Sequence, residues 1–268
     1  MIIERVLKTE KGIVCYWVSE DLDKEKDTLF FMHGMTADHR MFDQQVAQFK
    51  SEYNILIWDA PAHGKSRPFD DFSLEDAADF IAKIMDDNNL PDVFLIGQSL
   101  GGYFAQAAIK KYPGKVKGFV SIGSTPFGKK YYSVFDKWIL RQVKWMAHLY
   151  PFGMMKKAIA KQVSATKKAY DNMLQMLESY DKHELCHLMG LGYGTFLKEN
   201  CDLIIPCPVL LLVGEKDKTG KVKDYNKIWA KETGYRLAEV PNAAHNANVD
   251  NPNEVNSQVA RFLNEHNR

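Results

Sequence analysis

The chain has 268 residues, of which 46% are hydrophobic and 26% charged, and 35 basic residues nearly balance 34 acidic ones. This length and composition are typical of one large globular domain. A net charge of +1 gives no general case for binding nucleic acid, so a nucleic-acid partner is not expected.

The N-terminal segment carries charges at Glu4 and Arg5 and has no long apolar run, so we expect neither a signal peptide nor a membrane span there. No other segment approaches the roughly 20 apolar residues that a spanning helix needs. The cysteines form no C-x-x-C pair and are expected to be free thiols in a reducing compartment. These features predict a cytoplasmic protein.

Residues 2–7 and 13–18 are typical of an antiparallel hairpin at the start of the fold. From residue 28 onward, short and almost wholly apolar runs alternate with amphipathic stretches. The predicted strands are 28–33, 53–59, 93–97, 115–123, 207–214 and 235–240, and the predicted helices are 41–50, 74–88, 101–111, 222–232 and 252–264. Unbroken apolar strands are covered on both faces, so the pattern predicts an α/β fold with a mostly parallel central sheet flanked by helices.

One region interrupts the alternation. Residues 126–200 contain no convincing strand, and residues 127–182 hold 11 basic and 4 acidic residues. We therefore expect a core formed by residues 1–125 and 201–268, with residues 126–200 inserted as a helical lid over the strand ends. Six of the eleven methionines lie between residues 146 and 189, which favours an adaptable apolar lining and an acyl or aromatic substrate.

A predicted helix in this lid carries four basic side chains on one stripe: Lys137, Arg141, Lys144 and His148. Four apolar side chains are expected on the opposite side: Val134, Phe135, Trp138 and Met146. The basic stripe permits weak association with a membrane surface or a funnel for an anionic substrate. We favour a solvated outer face whose apolar side packs over the site, where Trp138 and Met146 would shape an acyl pocket.

The stretch VFLIGQSLGG, residues 93–102, places Ser99 between Gly97 and Gly101 on a predicted strand-to-helix turn. A residue on such a turn is raised above the sheet in a strained backbone conformation. The two glycines are expected because side chains there would collide where strand and helix converge. The helix N-terminus also offers backbone N–H groups to a developing oxyanion, so Ser99 is the predicted nucleophile.

In this stretch the chain resembles the α/β-hydrolase superfamily, specifically its lidded serine hydrolases of esterase, lipase and lactonase type. The resemblance implies an acid after a later strand and a histidine after the last one. Asp217 follows the strand that ends at Gly214, and His245 follows the final predicted strand. Glu215 and Asp224 remain as alternatives for the acid.

The resemblance also covers two loops before Ser99. His33-Gly34-Met35 matches the oxyanion loop of the family, which implies that the backbone N–H groups of Met35 and Leu100 hold the oxyanion. Residues 59–66 match the family turn D-x-P-x-H-G-x-S, and we expect its role, like those of His33 and His63, to be structural. His39, His148 and His266 have no motif context and are expected at the surface.

Together these residues imply a serine hydrolase that cleaves a carboxylic ester or related acyl bond of a small, apolar substrate through Ser99, Asp217 and His245. No cofactor and no metal are implied, and no oligomeric state follows from the sequence. Two alternatives use the same fold: a ligand receptor without turnover, and a C–C bond hydrolase or lyase.

A second motif, His183-Glu184-Leu185-Cys186-His187, matches the H-E-x-x-H helix of zinc proteases. The position of the third zinc ligand in the extended motif is occupied by Tyr193. The motif also lies in the lid, outside any sheet that would support a protease cleft. We expect a chance match and retain the zinc protease as a remote alternative.

Overall fold

The computed structural model describes residues 1–266, which contain one eight-stranded sheet. Its strands are β1 (Ile2–Thr9), β2 (Gly12–Ser19), β3 (Thr28–Met32), β4 (Asn54–Trp58), β5 (Val93–Gln98), β6 (Val116–Ile122), β7 (Val209–Gly214) and β8 (Arg236–Val240). The strand order is β1-β2-β4-β3-β5-β6-β7-β8. β2 runs antiparallel to both of its neighbours, and the other pairs are parallel. The predicted hairpin and mostly parallel sheet are confirmed.

The helices surround this sheet. They are α1 (Asp43–Phe49), α2 (Leu74–Asp87), α3 (Leu100–Lys111), α4 (Val134–His148), α5 (Phe152–Val163), α6 (Lys167–Glu178), α7 (Lys182–Glu199), α8 (Val222–Thr233), α9 (Ala247–Asp250) and α10 (Pro252–His266). Ser73 caps α2 in a reciprocal box with Asp76. The sequence did not predict α9, because a single turn is too short to show a helical period. None of the helices within residues 1–266 combines the length and apolar character that a bilayer crossing requires.

The central strands are apolar along their whole length because helices cover both faces of the sheet. Every residue of β3, β4 and β5 is buried. The Trp58 ring packs edge-on against Phe30 and Phe104, at centroid distances of 5.6 and 5.5 Å. This packing fixes the carboxyl ends of the parallel strands relative to one another, and the loops that follow those ends are held in turn.

Four helices, α4 to α7, lie between β6 and β7, in the stretch where the sequence has no convincing strand. α4 packs on α7, and α5 packs on α6. The expectation for the apolar side of α4 was wrong in part, because Val134, Phe135 and Trp138 are exposed to solvent. Only Met146 of the four apolar residues lines the cavity described below. α4 has two apolar stripes, and its periodicity does not distinguish which of them faces inward.

Candidate active site

Ser99 lies on a sharp turn between β5 and α3. Its backbone has φ +49° and ψ −113°, a conformation that L-residues rarely adopt, and its N–H donates to the Ile122 carbonyl over 2.9 Å. A Cβ atom on Gly97 would come within 2.5 Å of the Gly101 backbone, and one on Gly101 within 2.0 Å of the Met32 carbonyl oxygen. Strand and helix therefore converge as predicted, and no larger residue fits at either glycine.

Asp217 and His245 follow β7 and β8 and are joined directly. The distance between His245 Nδ1 and Asp217 Oδ2 is 2.8 Å, and both side chains are buried. The other oxygen of Asp217 accepts a hydrogen bond from the Thr219 backbone N–H over 2.8 Å. Glu215 is exposed and accepts from the Asn242 backbone N–H instead. Of the acids that the sequence left open, Asp217 is the one that contacts the histidine.

The environment of Asp217 favours its charged form. Burial acts to raise the pKa of the carboxyl group, but the charge of His245 and the hydrogen bonds from His245 and Thr219 outweigh it. The pKa of Asp217 therefore lies below its ordinary value of 3.8. A carboxylate at Nδ1 keeps the proton of a neutral imidazole on that nitrogen and leaves Nε2 as the free acceptor.

Ser99 and His245 line the same cavity, which has a volume of about 430 Å³. Within residues 1–266, no hydrogen bond joins the Ser99 hydroxyl to His245. Such bonds are often long in unliganded hydrolases and shorten when substrate binds. The geometry thus holds the histidine and the acid together and places the serine in the same chamber.

The two backbone amides predicted for an oxyanion belong to Met35 and Leu100. Met35 lines the cavity, and Leu100 is the first residue of α3, directly after Ser99. In the described part of the chain, no protein oxygen accepts a hydrogen bond from either N–H group. Gly34 permits the loop to approach closely, since a Cβ there would lie 2.0 Å from Gln98 Oε1. Neither amide is therefore hydrogen-bonded within the described residues.

The histidines that precede Ser99 are used inside the fold. His33 Nε2 accepts from the Ala60 backbone N–H over 2.9 Å, and His33 Nδ1 lies 2.8 Å from the Gly34 carbonyl oxygen. Burial lowers the pKa of His33, and it lowers the pKa of His63 to about 3. His39 is not a simple surface residue as expected, because its Nδ1 lies 2.8 Å from the buried Asp59 carboxylate. That carboxylate also accepts from the Lys65 N–H and thereby closes the turn at 59–66.

Two residues around His245 escaped the sequence analysis. The Gln98 side-chain amide donates to the His245 carbonyl oxygen over 3.1 Å. The Asp250 carboxylate accepts from the N–H of Ala244, next to His245, and from the N–H groups of Ala165 and Thr166 between α5 and α6. Gln98 could have been noticed in the sequence, because it is a polar residue at the end of an otherwise apolar strand. No sequence pattern marks Asp250.

The H-E-x-x-H motif lies in α7, and within residues 1–266 it belongs to no group of three side chains spaced for metal ligation. Glu184 caps α7 through the Asp181 N–H and also pairs with Arg67, and His187 Nε2 lies 2.6 Å from Asp71 Oδ1. Among residues 1–266, the one cluster spaced for metal ligation is Asp38, His39 and Asp59, outside this motif. Glu184 and His187 thus contact polar residues outside the motif.

The cavity is lined mainly by apolar side chains, and most of them come from the insertion. α4 contributes Ile139, Val143, Met146 and Ala147, α5 contributes Met155, Ala158, Ile159, Gln162 and Val163, and Met173, Met189 and Tyr193 come from α6 and α7. Within the described residues, no Asp, Glu, Lys or Arg side chain lines it. The chamber next to Ser99 is therefore suited to a neutral, apolar group.

Comparisons with known proteins agree with this architecture. Residues 23–251 match the family described as serine aminopeptidase, S33. The chain is 26% identical to the mouse serine hydrolase BPHL over 80% of this chain and 70% of that protein. It is 25% identical to a pimeloyl-[acyl-carrier protein] methyl ester esterase of Neisseria meningitidis, over 81% and 86% of the two chains. A thermophilic esterase from Thermogutta terrifontis superposes over the full length of both chains with a TM-score of 0.79 and 18% identity. The chain is thus a hydrolase of the α/β-hydrolase fold and belongs to the serine aminopeptidase, S33, family.

Proposed function

We propose that the protein hydrolyses a carboxylic ester or a related acyl bond through a triad of Ser99, His245 and Asp217. One observation carries this function: the strained serine turn and the buried histidine–aspartate pair open onto one apolar cavity. Serine, histidine and acid in that relation are the parts that acyl transfer needs.

In the proposed reaction, Ser99 Oγ attacks the substrate carbonyl carbon while His245 Nε2 takes the hydroxyl proton. Collapse of the tetrahedral intermediate breaks the bond to the leaving group, which receives that proton from His245. Water then attacks the acyl-enzyme by the same route and releases the acid and the free serine. The ionised Asp217 holds the ring in orientation and stabilises the imidazolium that forms in each half-reaction.

The negative charge of each tetrahedral intermediate falls on the former carbonyl oxygen. The Met35 and Leu100 N–H groups, which have no protein acceptor among residues 1–266, are the proposed donors to it. Leu100 also begins α3, whose N-terminus carries partial positive charge. Fixed donors of this kind commonly supply the largest electrostatic contribution to such reactions.

The substrate class follows from the cavity lining, and residues 126–200 act as the lid in this proposal. An aminopeptidase substrate would bring a charged ammonium group, and no carboxylate within the described residues lines the cavity to receive it. An uncharged acyl chain fits the same surface without an unpaired charge. Supporting precedent comes from the Neisseria relative, whose name describes a methyl ester esterase.

A panel of p-nitrophenyl esters of graded acyl length, assayed beside aminoacyl anilides, tests this function. We expect sustained turnover of esters, little turnover of the anilides, and covalent labelling by a fluorophosphonate, which mimics the tetrahedral intermediate. A metal chelator should change nothing. Absence of turnover with ligand binding intact would instead support a receptor, and resistance to the fluorophosphonate with loss of activity to a chelator would support zinc chemistry.

Met146 and Trp138 give a matched pair of variants in α4. Met146 lines the cavity and Trp138 does not, so Met146→Ala should enlarge the acyl chamber while Trp138→Ala should leave it unchanged. We expect Met146→Ala to shift kcat/KM toward longer acyl chains by roughly tenfold, the scale of a methylene-sized change in an apolar pocket. The ester panel measures this ratio. An equal shift in both variants, or a shift in neither, would contradict the proposed acyl chamber.

A further inference from the structure

Exposed apolar side chains are concentrated on the outer side of α4 and the loop after it. Of fourteen exposed large apolar side chains within residues 1–266, nine lie between residues 134 and 154. The most prominent form what we call the α4 patch: Val134, Phe135, Trp138, Trp145 and Leu149. Single exposed apolar residues are ordinary, but a contiguous group of this size marks an interaction surface.

The sequence that contains the α4 patch is strongly basic. Residues 134–170 contain eight Lys or Arg residues and a single acid, Asp136. The Asp136 carboxylate lies 2.7 Å from Lys221 Nζ and caps α4, so it is already neutralised. Arg141 and Lys144 are exposed, and neither pairs with a carboxylate in the described part of the chain. The charge of Arg141 is therefore available to an anionic partner, while Lys144 Nζ also lies 3.4 Å from His187 Nδ1.

The charged and apolar side chains of α4 lie side by side along the helix. At 3.6 residues per turn, Trp138 and Trp145 project within about 20° of each other, and Arg141 projects about 40° from Trp145. A helix with bulky apolar side chains beside a basic stripe lies flat in the interface of an anionic bilayer. Tryptophan is also enriched at that depth, where its ring meets both hydrocarbon and headgroups.

A second copy of the chain is a poorer occupant of this surface. A symmetric dimer through the α4 patch would bring Arg141 and Lys144 against the same basic residues of the other copy, and like charges in contact are strongly unfavourable. An anionic lipid surface complements both properties of the patch at once. It accepts the apolar rings and neutralises the basic stripe.

We propose that the α4 patch docks the protein on the surface of an anionic lipid bilayer. Ile139, Met146 and Tyr150 are exposed and also line the cavity that reaches Ser99, so the patch is continuous with the cavity rim. Docking places this rim at the lipid surface. The inference does not depend on the proposed acyl chemistry, because binding is measured equally well with a Ser99→Ala chain.

Sedimentation with vesicles tests the docking. Full-length protein is mixed at low ionic strength with vesicles of phosphatidylcholine alone or of equal parts phosphatidylcholine and phosphatidylglycerol. We expect binding to the anionic vesicles that weakens as salt is raised, and much weaker binding to the neutral ones. No binding to anionic vesicles at the lowest salt would overturn the proposal.

Variants on the two halves of the surface complete the test. A Trp138→Ser, Trp145→Ser double variant should lower the partition coefficient roughly tenfold or more, as should Arg141→Gln with Lys144→Gln on anionic vesicles. Ile204→Ser and Lys227→Gln, exposed elsewhere, are matched controls and should bind as the wild type does. Binding that survives the tryptophan changes would overturn the proposal. A dimer that forms without lipid on gel filtration, and that the tryptophan changes convert to a monomer, would overturn it as well.

Discussion

Ser99→Ala should lower kcat by at least about 10⁴-fold and abolish fluorophosphonate labelling, because the proposed nucleophile is the Ser99 hydroxyl. Residual activity would come from the cavity and the two backbone amides. The change removes one oxygen atom that, within residues 1–266, forms no hydrogen bond, so the unfolding midpoint should hardly move.

Ser121→Ala is the matched control. Ser121 is a buried serine on β6, paired in register with Gly97, and its hydroxyl has no partner in the described structure. The variant should keep both turnover and labelling. Turnover retained in Ser99→Ala, or lost equally in Ser121→Ala, would show that the elbow serine is not the nucleophile.

Asp217→Asn should lower kcat by about 10⁴-fold while leaving the fold intact. The asparagine amide can donate to His245 Nδ1, which favours the tautomer that carries its proton on Nε2 and cannot accept from Ser99. Asp224→Asn, on α8, is the control and should be nearly neutral. The comparison is made from kcat on the preferred ester, with the unfolding midpoint as the check on folding.

The pH profile sharpens this prediction. Because the pKa of Asp217 is lowered, its carboxylate stays ionised at every pH above its ordinary value, and its stabilising contribution is lost only as the pH falls through the lowered pKa. Asp217 should therefore contribute no ionisation to the activity profile above pH 3.8, and a single acid limb above that pH should come from the proposed base. If an active Asp217→Asn enzyme kept the same acid limb as the wild type, the base would be a group other than His245.

The fold and the site loops could be predicted because their signals are local. The unbroken apolar runs require strands covered on both faces. Ser99 follows such a run directly, whereas Asp217 and His245 lie three and five residues after the ends of β7 and β8. Polar residues that follow parallel strands meet at one edge of the sheet. The sequence therefore predicts that these three residues lie close together.

Other features depend on contacts that no local pattern contains. Gln98 stands out as a polar residue at the end of an apolar strand, but its partner carbonyl lies 147 positions away. The amide bonded by Asp250 lies 85 positions away. The inward face of α4 was misjudged for a related reason, since both of its stripes are apolar and the packing of α5 and α7 decides which one lines the cavity. Trp138 was expected to shape the pocket, but it lies on the stripe of α4 that faces solvent.

The single carboxylate of Asp250 links the insertion to the loop that carries His245. It accepts from Ala165 and Thr166 on one side and from Ala244 on the other, over 2.8 to 3.0 Å. While those bonds persist, residues 165 and 166 keep a fixed distance from the histidine loop. The Asn246 N–H also donates to the Val163 carbonyl oxygen over 2.8 Å, so a second bond ties the end of α5 to the same loop. Any opening wide enough to break the joint would also loosen His245, so exposure of the cavity and alignment of the base are mechanically coupled.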